Sequence, residues 1–195
     1  MISFPVLFST FIVIFVAELP DKTALAALIL ATKYRPRDVI VGAGLAFLVQ
    51  TLVAVAAGSV FTLLPSMPIR IASGIGFLIF SVFAFLRKEE EPGKEERAGV
   101  DQGKSLKPIW LISFLVIFAA EWGDLTQLAT AALVAQNRHP LSVGIGALLA
   151  LWTVTVLAAL SGARLSHFLK PMLLNIMSCL LFAAIGFYLI VTALW

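Results

Sequence analysis

Charged residues are scarce in this sequence. They make up 13% of the 195 residues, whereas about a quarter of the residues in a soluble domain are charged. Hydrophobic residues make up 61% and the mean hydropathy is +1.02, so we expect the chain to lie in a lipid bilayer. Its apolar runs are unbroken, and they lack the alternation of a membrane β-barrel strand. The sequence therefore predicts membrane helices.

Cysteine and histidine are also nearly absent. The single cysteine, Cys179, excludes an intramolecular disulfide. The two histidines, His139 and His167, fall in predicted loops, where we interpret them as surface residues. Without a cluster of His, Cys or Met, a metal site would have to be built from oxygen atoms, which favours hard ions such as Ca²⁺, Mn²⁺ or Mg²⁺ over Zn²⁺ or Cu⁺.

Six apolar segments, separated by charged residues and prolines, are each long enough to be membrane-span candidates, since a helix needs ~20 mainly apolar residues to cross a bilayer. They lie near 4–32, 39–64, 69–86, 108–135, 141–160 and 171–194. The predicted fold class is an all-α integral membrane protein with six transmembrane helices. The first five residues carry no charge, unlike the start of a signal peptide, so we expect the first segment to be retained.

The basic residues indicate an orientation. Eleven Lys and Arg residues lie in the loops after the first, third and fifth segments, and only Arg70 and Arg138 lie on the opposite side. The positive-inside rule then places both termini outside and the 88–107 linker in the cytoplasm, in what we expect to be a bacterial plasma membrane. The same loops account for the net charge of +3 without a nucleic-acid partner. A homo-oligomer is left open.

A repeat divides the chain into two halves. FVAELPDKTALAAL (15–28) matches FAAEWGDLTQLATAAL (118–133), and VGAG (41–44) matches VGIG (143–146), at offsets of 103 and 102 residues. We predict a duplication of three helices, with one repeat at 1–87, the linker at 88–107 and the second repeat at 108–195. Because three is odd, the copies should be inverted in the membrane, as in many secondary transporters.

The matching stretches place four carboxylates near the middle of the bilayer, where a charge costs ~2.5–3.5 kcal/mol on insertion scales. Each Glu and Asp pair is spaced i, i+3 and should share a helix face, while Pro20 and Gly123 are expected to break the helices. Lys22 neutralises one charge and its counterpart Leu125 none. The candidate ligands are the carboxylates Glu18, Asp21, Glu121 and Asp124, with neutral oxygens from Thr23, Thr126, Gln50, Thr51 and Gln127.

The two motifs, ELPDKT (18–23) and EWGDLT (121–126), resemble the pair of E-x-G-D-[KR]-[TS] motifs of the six-helix cation/proton exchangers, which include Golgi manganese and calcium transporters and bacterial manganese exporters. Pro20 and Leu125 depart from that pattern. The resemblance implies export of Mn²⁺ or Ca²⁺ in exchange for protons, with no prosthetic group. It also implies that Glu18, Asp21, Glu121 and Asp124 bind the ion while Thr23 and Thr126 assist.

Three alternatives stay open. A transporter of a small cationic solute such as an amino acid would need a larger pocket, which Trp122 and Trp152 could line. An intramembrane hydrolase could use Asp21 and Asp124 as a dyad sharing one proton, but it would not need the two glutamates, and we do not expect an enzyme. A channel would use the same site without stoichiometric exchange.

Overall fold

The computed structural model describes residues 2–18, 27, 30–31, 34–63, 65–86, 108–161 and 171–194. Their secondary structure is helical, without a strand among them. The helices with described bounds are α1 (Phe4–Glu18), α2 (Pro36–Phe61), α3 (Ser66–Leu86), α4 (Ile109–Ala120), α5 (Leu125–Asn137), α6 (Pro140–Ser161) and α7 (Pro171–Leu194). The linker, Asp21, Lys22, Thr23 and His167 lie outside the described residues.

Two of these helices are long and apolar enough to cross a membrane: α2, and α6 over Pro140–Leu160. A third span results if α4 and α5 are taken together as one helix, bent by 71° at a short break. The helix α1 and the apolar parts of α3 and α7 are shorter. The described residues thus support two or three spans by length and composition, and the count of six stays a prediction.

Proline sets several of the helix starts. Pro36 opens α2, Pro140 opens α6 and Pro171 opens α7, because proline has the backbone angle of a first helical turn and needs no donor there. The helix α2 therefore begins three residues before the expected Val39. This start brings Asp38 into the first turn, where a carboxylate is favourable to the helix dipole.

The packing pairs elements from the two halves of the sequence. The helix α1 packs mainly on α6, α2 packs on α4, α5 and α6, and α3 packs on α7. Glycines allow the closest approaches: a methyl group at Gly146 would lie 2.5 Å from the Leu7 carbonyl oxygen, and one at Gly42 would lie 2.7 Å from Ser113 Cβ. Small residues at helix crossings let membrane helices pack backbone to backbone, and here they bring α1 close to α6 and α4 close to α2.

Candidate metal centre

Three carboxylates, from Glu18, Glu121 and Asp124, meet at the break between α4 and α5. One oxygen each from Glu18, Glu121 and Asp124 lies within 4.8 Å of the others. Ca²⁺ binds oxygen at about 2.3–2.6 Å, so two oxygens on one ion lie at most about 5 Å apart. The three side chains are therefore close enough to share one hard cation. Glu18 is 0% and Glu121 is 3% exposed, which removes much of the water that would otherwise screen their charges.

The end of α4 adds to the negative charge of the cluster. Glu121 is the C-cap of α4, its N–H donating to the Ile117 carbonyl oxygen at 3.0 Å. The C-terminus of a helix carries the equivalent of about half a negative charge on its unpaired carbonyls. This end bears a carboxylate and lies beside the Glu18 and Asp124 carboxylates. The arrangement attracts cations and repels anions.

A short turn separates α4 from α5 and shapes the second half of the site. Gly123 in this turn has a φ of +78°, a left-handed conformation that glycine adopts without the cost paid by other residues. Asp124 follows as the N-cap of α5. Its Oδ1 accepts from the Gln127 N–H at 2.8 Å and its Oδ2 accepts from the Thr126 hydroxyl at 2.7 Å. Because each carboxylate oxygen can take more than one partner, both can still face a cation.

Two glutamines surround this turn. The Gln127 side-chain oxygen accepts from the Gly123 N–H at 2.7 Å, and its Nε2 donates to the Gln50 carbonyl oxygen at 3.4 Å. The Gln50 Nε2 in turn donates to the Phe118 carbonyl oxygen at 3.0 Å. The helix α2 is thereby connected to both sides of the break between α4 and α5.

The structure corrects one expectation about spacing. Glu121 and Asp124 do not share the face of one continuous helix, because the helix stops at Ala120 and restarts at Leu125. The turn at Gly123, where the sequence predicts a break, brings the two carboxylates together instead. The first copy of the motif is described only as far as Glu18, so the expected break at Pro20 and the positions of Asp21 and Thr23 lie outside the described residues.

The uncharged candidate residues differ in burial and in their hydrogen-bond partners. Thr126 is 5% exposed and its hydroxyl holds Asp124. Thr51, next to Gln50 on α2, is 6% exposed, and its hydroxyl has no hydrogen-bond partner within the described part of the chain. Trp122 is 58% exposed and packs on Phe118 with ring centroids 4.9 Å apart. The Trp152 Nε1 donates to the Gly44 carbonyl oxygen at 3.2 Å, so neither tryptophan is seen to enclose a larger pocket.

Two buried hydroxyls were missed by the sequence reasoning. Thr10 and Ser113 are both 0% exposed, and neither hydroxyl has a hydrogen-bond partner among the described residues. They lie 103 residues apart and each precedes its motif glutamate by eight residues. The repeat offset was the signal that could have identified them.

Carboxylates inside a membrane protein commonly mark ion pathways and proton relays, so a cation transporter is the class of protein that this cluster indicates. The chain matches the model of the family described as divalent cation/proton antiporter GDT1 over residues 6–92 and 109–194, and it belongs to that family. The family is therefore one of transporters rather than enzymes, as the two motifs indicated.

Relatives are spread over bacteria and plants. The chain is 34% identical to a GDT1-like protein from Synechocystis sp., over 88% of this chain and 89% of that protein. It is 31% identical to the chloroplastic PAM71-homolog from Arabidopsis thaliana, over 92% of this chain and 58% of that protein. It is 30% identical to GDT1-like protein 3 from the same plant, over 84% and 62%. The match thus spans less than two thirds of these plant proteins. No solved structure matches the chain.

Proposed function

We propose that this antiporter exports Mn²⁺, Ca²⁺ or both from the cytoplasm in exchange for protons. Its ion site is formed by Glu18 and Asp21 from one half and by Glu121 and Asp124 from the other. The observation that carries the proposal is the meeting of Glu18 with Glu121 and Asp124 within 4.8 Å. Residues 103 positions apart in the chain supply one set of ligands suited to a hard divalent cation.

The two halves are proposed to be an inverted repeat of three helices each, joined by the cytoplasmic 88–107 linker, with both termini outside. Matching features in α1 and α4 support this. Phe11 and Phe15 stack with centroids 5.6 Å apart, and Phe114 and Phe118, each 103 residues on, stack at 5.3 Å. The crossings match too, because α1 meets α6 at Gly146 as α4 meets α2 at Gly42. Gly146 is the second glycine of its VGxG run and Gly42 is the first glycine of its own. The two crossings therefore use positions that differ by two residues between the repeats.

Protons and metal would compete for the same oxygens. Carboxylates held close together repel one another when ionised, and either a bound cation or a bound proton relieves that repulsion. In an alternating-access cycle the two halves rock around a fixed midplane site. Metal would load from the cytoplasm, and protons arriving from outside would displace it.

The metal ion is favoured over a larger cationic solute. Trp122 is mostly exposed, and the indole N–H of Trp152 is used in a helix–helix hydrogen bond. The carboxylate oxygens, in contrast, are separated by no more than one ion can bridge. A metal ion needs no further space beside these oxygens, whereas an amino acid would also need a pocket for the rest of the molecule.

The test is ion flux in liposomes containing purified protein, comparing Mn²⁺, Ca²⁺ and Mg²⁺ while recording internal pH. Wild-type protein should move Mn²⁺ or Ca²⁺ with opposite proton movement. Asp124→Asn should abolish metal transport while the protein stays folded, because Asn is as good an N-cap as Asp. Glu18→Gln should do the same.

Asp38→Asn is the matched control. It removes one carboxylate from the first turn of α2, outside the three-carboxylate cluster, and should transport as wild type does. Normal transport by Asp124→Asn, or metal flux without any change in internal pH, would contradict the proposed mechanism.

A further inference from the structure

We propose that Gln50 is a positioning residue that holds the broken helix in shape for metal binding, and that it is not itself a ligand. The inference rests on the metal site proposed above and assigns a role to the α2 helix in it. Gln50 is 4% exposed and contacts both sides of the break, through its side chain on one side and its backbone on the other.

The side-chain contact replaces a hydrogen bond that the break removes. In a continuing helix the Phe118 carbonyl would accept from the N–H of residue 122, four residues on. The helix α4 ends at Ala120, and the last carbonyls of a helix need other donors. The Gln50 Nε2 supplies one at 3.0 Å. This bond fixes the end of α4, and Glu121 directly follows that end.

The backbone of Gln50 contacts the α5 side of the break. The Gln50 carbonyl oxygen accepts from the Gln127 Nε2 at 3.4 Å, while the Gln127 side-chain oxygen accepts from the Gly123 N–H at 2.7 Å. Gln127 also donates its backbone N–H to Asp124 at 2.8 Å. A continuous chain of hydrogen bonds therefore runs from Phe118 through Gln50 and Gln127 to the Gly123 turn and Asp124.

The contact of the Gln50 side chain uses its amide nitrogen, which donates to the Phe118 carbonyl oxygen. A metal ligand would use the side-chain oxygen, so a variant that keeps the oxygen and removes the donor distinguishes the two roles. A glutamate at the same position would have nearly the same shape but, when ionised, no donor. Gln50→Glu therefore has opposite effects in the two roles: it strengthens a ligand and breaks a positioning bond.

The second repeat offers a control. At the 102-residue offset Gln50 corresponds to Trp152, whose Nε1 donates to the Gly44 carbonyl oxygen between α6 and α2. Trp152→Phe removes one side-chain N–H donor between helices, as Gln50→Leu does, but away from the α4–α5 break. It should lower thermal stability slightly and leave metal affinity unchanged.

The experiment measures Mn²⁺ affinity by calorimetry on purified full-length protein, with thermal melting alongside. Gln50→Glu and Gln50→Leu should each weaken Mn²⁺ binding, roughly 10- to 100-fold, as expected on losing a group that orients metal ligands. Hydrogen exchange over residues 119–127 without metal should rise in both variants and not in Trp152→Phe. If the Gln50 variants have a lower melting temperature but unchanged Mn²⁺ affinity, the role of Gln50 is merely structural.

The outcomes are distinct from those of the transport proposal. If wild-type protein binds Mn²⁺ and Gln50→Glu binds it as tightly or more tightly, the positioning role is wrong. If neither Mn²⁺ nor Ca²⁺ binds to wild-type protein, the proposed metal site itself is wrong. Weakened Mn²⁺ binding in Gln50→Glu and Gln50→Leu, with unchanged binding in Trp152→Phe, supports both the metal site and the positioning role of Gln50.

Discussion

Replacing Gly42 by Ala tests whether the α2–α4 crossing sets the geometry of the metal site. A Cβ at this position would meet the Trp110 carbonyl oxygen, and would lie 2.7 Å from Ser113 Cβ and 2.9 Å from the Phe114 nitrogen. Two of these three atoms belong to the backbone, which cannot rotate away as the end of a side chain can. Contacts this close are essentially never seen for a real Cβ atom, so α4 must move from α2 by more than the few tenths of an ångström that a 3.0–3.4 Å contact would need.

The expected cost follows from that displacement. Forcing one extra methyl group into a packed interior costs about 1–3 kcal/mol. For a chain of 150–250 residues each kcal/mol shifts the melting temperature by roughly 2–4 °C. Because an alanine also favours the helix, the clash is measured against an alanine variant that meets no such atoms, and Gly42→Ala should melt roughly 2 °C or more below it. Binding sites tolerate ligand shifts of about 0.5 Å. Because Glu121 is the C-cap of α4, a larger shift of the helix moves this carboxylate, and Mn²⁺ affinity should fall together with stability.

Gly44→Ala is the matched comparison, since it makes the same chemical change two residues further along α2. The closest atom to a Cβ there is Trp152 Nε1 at 3.4 Å, an ordinary contact, and Ala favours a helix over Gly by up to about 1 kcal/mol. This variant should melt at or above the wild-type temperature and bind Mn²⁺ normally. Equal melting temperatures for the Gly42 and Gly44 variants would refute the crossing argument.

Three further predictions follow from the same structure. Gly123→Ala should weaken Mn²⁺ binding because a left-handed residue with a side chain costs about 1–2 kcal/mol, and Gly123→Asn should weaken it less; equal calorimetric affinities would contradict this. Mn²⁺ affinity should fall as pH is lowered, since protons and metal share the carboxylates; a flat calorimetric profile would argue against competition. Gly186→Ala should lower the melting temperature because its Cβ would lie 2.7 Å from the Gly74 carbonyl oxygen, whereas Gly76→Ala, with nothing within 4 Å, should not.

Much of this architecture could be predicted because it depends on composition and repetition. Scarce charge and long apolar runs predicted a helical membrane protein, and a family of membrane antiporters bears that out. The offset of 103 residues predicts that Glu18 and Glu121 occupy equivalent positions in the two copies, and the two carboxylates lie in one cluster. A sequence repeat can thus relate residues that are far apart in the chain even when the packing of the helices is not known.

The local geometry of the site could not be predicted in the same way. The i, i+3 spacing of Glu121 and Asp124 assumes an unbroken helix, and the turn at Gly123 removes that assumption. The partner of Gln50 is the Phe118 carbonyl, a backbone atom that every residue possesses. This carbonyl is available as an acceptor only because α4 ends two residues later, at Ala120. The identities of the side chains therefore do not predict the contact. Polar residues near a site can thus be found from sequence, while their roles depend on where helices end.

The start of α5 also compensates for Leu125, which stands in the second motif where the pattern has a basic residue. Leu125 is the first residue of α5, and Asp124 caps that helix. The N-terminus of a helix carries the equivalent of about half a positive charge, and Asp124 accepts two hydrogen bonds there. The carboxylate is therefore held without a neighbouring cation from its own motif. The break in the helix thus has two effects: it brings Asp124 close to Glu18 and Glu121, and it supplies part of the charge compensation that a basic side chain would otherwise provide.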